Sequence, residues 1–140
     1  MSDYEKYLFR GKEKNSGEWI YGDLRHISDG HGGYILCIVD NTNGRNNDVT
    51  GVEVSPNTVG QYTGVTDKNG TKIFEGDIVR YGDTIHEVVF EQRNGTAYFG
   101  LVYSEAETLP FGHYQDLRQI EVIGNIYDNP ELLEDGEEDD

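Results

Sequence analysis

The sequence predicts a mainly β protein with short helical turns, and three observations carry that expectation. Apolar residues fall in short runs rich in Val, Ile, Tyr and Phe, side chains that suit a pleated, half-buried surface. Turn-forming residues, among them 18 glycines, separate these runs, and in the second half the runs recur about every 8 to 12 residues. Tyr supplies 10 of the 16 aromatics, so much of the apolar surface carries a polar handle suited to strands and to contacts with partners.

The runs at Tyr7–Arg10 and Trp19–Tyr21 flank a polar stretch containing Asn15-Ser16-Gly17, which predicts a β-hairpin with a long loop. The second run continues through Asp23-Leu24 towards Ile27, and Ser28-Asp29-Gly30-His31-Gly32-Gly33 then turns the chain. Tyr34–Val39 is continuously apolar, the pattern of a strand buried on both faces. Asp40–Asp48 is polar and Asn-rich, which predicts an exposed loop, and Val49–Val54 alternates as a strand does. Ser55-Pro56 predicts a single helical turn ended by Gly60.

Beyond it the turns come closer together. Asp67-Lys68-Asn69-Gly70 joins Tyr62–Val65 to Thr71–Phe74, and Glu75-Gly76-Asp77 leads into Ile78–Tyr81. Gly82-Asp83 turns into Ile85–Glu91, and Arg93-Asn94-Gly95 into Thr96–Tyr103. Such spacing predicts a small barrel or sandwich. Ser104–Gln115, with Pro110 and Gly112, is expected to be a loop, and Gln119–Tyr127 a last strand. Asn129-Pro130 should cap a short helix through Glu134, followed by a disordered end from Asp135 to Asp140.

A chain of 140 residues suits one compact domain or two small subdomains sharing a core. Its formal net charge is -16. Of the 27 acids, 8 lie between Asp128 and Asp140, where there is no base; the other 19 against 11 bases leave the body near -8. Such a body repels phosphate backbones, so direct nucleic-acid binding is not expected unless the 11 bases cluster on one face. The single cysteine, Cys37, excludes an intramolecular disulfide framework and a cysteine-rich zinc site, and its apolar surroundings read as those of a buried thiol. No apolar stretch reaches the roughly 20 residues that span a bilayer, and the N-terminus lacks a basic-then-apolar leader, so a cytoplasmic protein without membrane contact is expected.

Two segments carry a family resemblance. Val59–Val79 reads VGQYTGVTDKNGTKIFEGDIV, and Glu121–Leu133 reads EVIGNIYDNPELL. Gly60, Gln61, Tyr62, Thr63 and Gly64 form a first block, Asp67–Gly70 a second, and Ile73, Glu75, Gly76, Asp77, Ile78 and Val79 a third. In order and spacing these blocks resemble the YopX-like proteins of bacteriophages and prophages. Family members open with an Arg-Ala-Trp strand, where this chain has Phe9-Arg10-Gly11-Lys12. The resemblance implies a two-lobed, mainly β fold with a C-terminal SH3-like small barrel, and assembly as a homo-oligomer; it assigns no activity. On that basis residues 1–56 form an N-terminal β subdomain, 57–127 the SH3-like subdomain, and 128–140 a short helix with an acidic disordered tail.

The same blocks have a plain architectural reading. Gly60, Gly64, Gly70 and Gly76 suit turns, Asp67, Asn69 and Asp77 suit bonds to nearby backbone amides, and Ile73, Phe74, Ile78 and Val79 suit a core. The functional alternative is a contact surface of Gln61, Tyr62 and Thr63, with Trp19 and Tyr21 as aromatic anchors. Glu75 and Asp77 would share a strand face as a carboxylate pair, but Gly76 between them favours a turn. His26 and His31 flank a Gly-rich turn without companion ligands, His86 and His113 stand alone, and Gly30-His31-Gly32-Gly33 lacks the lysine of a phosphate loop. No catalytic, cofactor-binding or metal-binding residues are therefore expected. The function expected is that of a non-enzymatic, homo-oligomeric accessory protein of a phage or prophage. The alternative is an acidic DNA mimic that occupies the nucleic-acid groove of a basic host protein.

Overall fold

The computed structural model describes residues 7–40, 51–104, 107–111 and 116–138, the last four as backbone alone. Residues 41–50 and 112–115 lie outside them, and with them most of the Asn-rich loop, Val49 and Thr50, and His113; so do Glu105, Ala106, Asp139 and Asp140. The protein is mainly β; the described residues form two antiparallel sheets and one α-helix. It divides into two compact units, Met1–Tyr62 and Thr63–Asp140.

In the first unit, β1 (Phe9–Lys12) and β2 (Trp19–Ser28) form the expected hairpin, with Phe9 opposite Gly22 and Lys12 opposite Trp19. The far half of β2 pairs with β3 (Tyr34–Val39), from Asp23 opposite Val39 to Ser28 opposite Tyr34. The alternating strand expected over Val49–Val54 is reduced, among the described residues, to β4 (Val52–Glu53) and a bridge from Val54 to Glu13. Cys37, Ile38 and Val39 are all buried, so the inner end of β3 is covered on both faces, whereas Tyr34 at its outer end is exposed. The expected turn after Ser55 is a 3-10 turn over Pro56–Thr58. Ser55 makes no side-chain cap there; Thr58 is the working residue, its hydroxyl donating to the Ser55 carbonyl (2.6 Å) and accepting from the Lys12 amide (2.9 Å). β5 (Gly60–Thr66) then starts alongside β1, Arg10 opposite Gly60.

The second unit takes up β5 at Thr63 and continues with β6 (Lys72–Phe74), β7 (Asp77–Tyr81), β8 (Thr84–Arg93), β9 (Thr96–Ser104), β10 (Glu107–Pro110) and β11 (Ile120–Asn125). Five of these form a sheet in the order β10-β9-β8-β7-β11. Among the described residues β10 and β11 are not neighbours in it, so this sheet is open where a closed small barrel was expected. Asn94 and Gly95, both at positive φ (53° and 79°), make the tight β8–β9 turn. The core comprises Ile73, Val79, Val88, Leu101 and Ile120, all fully buried, with Val65, Tyr81, Phe111, Leu117 and Val122 packed against it. Each buried aliphatic side chain contributes about 1.5–3 kcal/mol of transfer free energy.

β10 corrects the loop expected over Ser104–Gln115. Its residues pair with the long strand β9, Thr108 opposite Val102 and Pro110 opposite Gly100, and a proline is tolerated because it ends an edge strand. Gly100 makes room for the pairing: a Cβ there would stand 2.5 Å from the Leu109 carbonyl oxygen. The C-terminal helix α1 spans Glu131–Glu138, so helix replaces the disorder expected from Asp135 to Glu138. Asn129 turns its side chain back, accepting from the Asn125 amide (3.2 Å).

The blocks that carry the family resemblance meet in this unit. Asp67, 6% exposed, accepts from the amides of Asn69 (2.8 Å) and Thr71 (2.9 Å) through Oδ1 and from Val122 of β11 (2.9 Å) through Oδ2. The Lys68 amide donates to the Ile120 carbonyl (3.0 Å) beside it. Gly76, at φ 95°, donates its amide to Val88 and accepts at its carbonyl from Ile126; a Cβ there would press on the Tyr127 ring at 3.0 Å. Asp67→Ala strands three amide donors in a closed environment. It should cost about 3 kcal/mol, a drop of roughly 10 °C in Tm by circular dichroism; a drop of less than about 3 °C would contradict the pinning role.

Candidate functional site

Strand alternation divides the five residues singled out in the sequence. On β1 and β2, Arg10, Lys12, Trp19 and Tyr21 share one face, as their pairing requires. The Arg10 guanidinium lies 4.5 Å from the centroid of the Trp19 ring and the Lys12 ammonium 5.5 Å from it. Two cations within cation–π range hold the indole in place. Trp19 is half-buried and Tyr21 is 37% exposed, so an aromatic pair on a cationic bed reaches solvent.

Gln61, Tyr62 and Thr63 do not extend that surface. Gln61 stands opposite Phe9, on the other face from Arg10 and Trp19. Tyr62 returns to the Trp19 face but is only 1% exposed, so its ring serves packing rather than contact. The Thr63 hydroxyl donates to the Ile73 carbonyl (2.8 Å) and accepts from the Val65 amide (3.2 Å), which ties β5 to β6. Gln61, Tyr62 and Thr63 thus lie apart from the exposed Trp19–Tyr21 pair.

The other candidates resolve by geometry. Glu75 lies in the turn before β7 and Asp77 at its start; Asp77, 2% exposed, accepts from the Phe74 amide (2.7 Å) and closes that turn. His31 sits in an Asp29-centred loop, where Asp29 accepts from the amides of His31 (2.7 Å) and Gly33 (3.1 Å). His26 packs edge-on to Tyr34. Among the described residues no three His, Cys, Asp or Glu side chains converge as a metal site would need.

His86 is buried, with Nδ1–H donating to the Val102 carbonyl (2.9 Å) and Nε2 2.7 Å from the Thr84 hydroxyl. Its ring packs on Tyr103 at 4.3 Å. Burial holds its pKa below the ordinary imidazole range, against the smaller opposing pull of the Val102 carbonyl. Burial of neighbouring Glu87 moves that carboxyl upward.

One feature lay beyond sequence reasoning. Lys68, Arg80, Gly82, Arg118, Gln119 and Glu121 line a shallow pocket of about 290 Å³ in the second unit. Glu121 stands opposite Arg80 across the β7–β11 pair and lies 3.8 Å from it and 3.9 Å from Lys68. Arg118 forks onto Asp116 (3.0 and 3.1 Å), and this contact lowers the Asp116 pKa. The three cations come from a turn, a strand and a 3-10 turn, so no local pattern announces the cluster.

Residues 8–134 match the family model of the YopX protein. The chain belongs to the YopX family. The match to YopX begins at Leu8 and so takes in β1, where Phe9-Arg10-Gly11-Lys12 departs from the opening motif. The chain is similar to the crystal structure of protein EF1440 from Enterococcus faecalis, with 25% identity and a TM-score of 0.52 over 89% of this chain and 96% of that one. No curated protein matches the chain. No helix among the described residues is long and apolar enough to cross a membrane.

The His86 environment fixes a pH dependence. Its folded pKa lies below the unfolded value, so its neutral form supports the fold fully above about pH 6.5, and that support is lost as pH falls below it. Glu87 acts oppositely, its contribution lost as pH rises from about 4.5 through its raised folded value. Urea melts of wild type and His86→Gln should differ by a constant amount above pH 7, and wild type should lose stability relative to the variant between pH 6.5 and 5. A constant difference throughout would contradict the burial.

Proposed function

We propose that this YopX-family chain is a non-enzymatic interaction module that associates with further copies of itself through the Trp19–Tyr21 face. The observation that carries the reading is the indole held between Arg10 and Lys12 with Tyr21 exposed beside it. Trp, Tyr and Arg are the residues that dominate binding energy at protein interfaces. A ring already fixed by two cations loses little side-chain freedom on binding, so more of its contact energy appears as affinity.

The strand order of the second unit supports the SH3-like reading of it. The last strand, β11, lies beside the first, β7; β8, β9 and β10 follow in sequence, and a 3-10 turn over Leu117–Gln119 precedes β11. This order is the one expected of an SH3-like small barrel. The family resemblance adds the setting, an accessory protein of a phage or prophage.

Association is measured by sedimentation velocity over a range of concentrations. Trp19→Ala should weaken it by about 2 kcal/mol, or roughly 30-fold. Tyr21→Ala, which leaves the buried residues untouched, should weaken it several-fold. Unchanged sedimentation of both folded variants, or a wild-type chain that stays monomeric at every concentration, would contradict the proposal.

A further inference from the structure

The cationic pocket of the second unit sets it apart from an otherwise acidic chain. Three of the 11 bases line it against one carboxylate, Glu121, a local charge of +2, or +1 when Asp116 behind Arg118 is included, in a chain of -16. Among the described residues, Glu121 is the carboxylate that pairs with Lys68 and Arg80, at 3.9 and 3.8 Å. Both separations exceed charge-assisted hydrogen-bond length, and the two cationic side chains are about half exposed, at 47% and 51%. Arg118, 89% exposed, is tied to Asp116 but open to solvent along most of its surface. Glycine at position 82 adds no side chain to the floor, and a Cβ there would meet no heavy atom within 4 Å.

Size and shape narrow the ligand. About 290 Å³ lies at the bottom of the range for small-molecule sites, too small and shallow to enclose a nucleotide. It admits one or two carboxylate side chains, which Arg and Lys engage directly. The chain supplies a segment of matching chemistry: residues 131–140 carry seven acids and no base. Helix α1 has no basic residue in its last turn, so it offers its own C-terminal end no cation to offset the helix dipole.

We propose that the Lys68–Arg80–Arg118 pocket binds the acidic C-terminal segment, residues 131–140, of a second copy of this chain. The contact rests on the self-association proposed above and adds a second, electrostatic element to it. Repulsion between two acidic bodies does not prevent it: at physiological salt the Debye length is about 8 Å, so distant like charges are screened more strongly than pairs in contact, which salt weakens only in part. Each chain has both pocket and segment, so the contact can be made reciprocally.

The probe is a labelled peptide of residues 131–140, titrated into the full chain and followed by fluorescence anisotropy. It should bind wild type, weaken several-fold between about 50 and 300 mM NaCl, and bind at least tenfold more weakly to the Lys68→Gln/Arg80→Gln/Arg118→Gln variant. A second full-chain variant leaves the pocket intact and replaces Glu134, Asp135, Glu137, Glu138, Asp139 and Asp140 with their amides. Its self-association, by sedimentation, should shift to at least tenfold higher concentration. No peptide binding, or equal binding to the pocket variant, would overturn the pocket while leaving association through Trp19 standing. Unchanged association of the amide variant would overturn the second copy as the source of the segment. Peptide binding to a wild-type chain that never associates would instead contradict self-association itself.

Discussion

The architecture of the second unit turns on one buried carboxylate. Asp67 closes its own turn with two amides and reaches a third on β11, 55 residues later in the chain. The sheet pairing of β7 with β11 then sets Arg80 beside Glu121, and the pinned turn sets Lys68 beside both. A surface pocket thus depends on a carboxylate-to-amide contact made by a side chain that is itself nearly buried. The polar groups of the turn would be costly if left unmade in so closed a place, which is why an acid occupies a core-like position.

Much of this was legible in the sequence. The strands of the first hairpin, β3, and β5 to β9 fall close to the expected runs, because apolar alternation and Gly- or Asn-bearing turns are local signals. The family blocks pointed to Asp67, Gly76 and Asp77 as turn residues, and the structure places them so. Where reading failed, the cause was non-local. β10 is a strand because β9 offers it an edge, and nothing in Glu107–Pro110 itself requires that. Tyr62 looks like a surface residue beside Gln61 and Thr63, yet alternation along β5 sends it inward. The basic pocket could not be seen at all, since Lys68, Arg80 and Arg118 lie far apart in the chain.

The charge distribution gives the two proposed contacts different characters. The Trp19–Tyr21 face depends on aromatic area fixed by cations beneath it, which salt affects little once the ring is buried. The pocket on the second unit depends on paired charges at an exposed site, which salt weakens. A chain of -16 that places five of its 11 bases under an indole and around a pocket can favour chosen contacts while its overall charge discourages indiscriminate ones.

Trp19 is the only tryptophan in the chain, so its own emission reports on the face assigned to self-association. The direct measurement is the emission maximum of the unmodified protein as concentration rises from nanomolar to high micromolar. A saturable blue shift, following the concentration dependence of sedimentation, is the result expected if partner contact takes the half-exposed indole out of water. An emission maximum that stays constant while the protein associates would place the interface elsewhere and contradict the central claim.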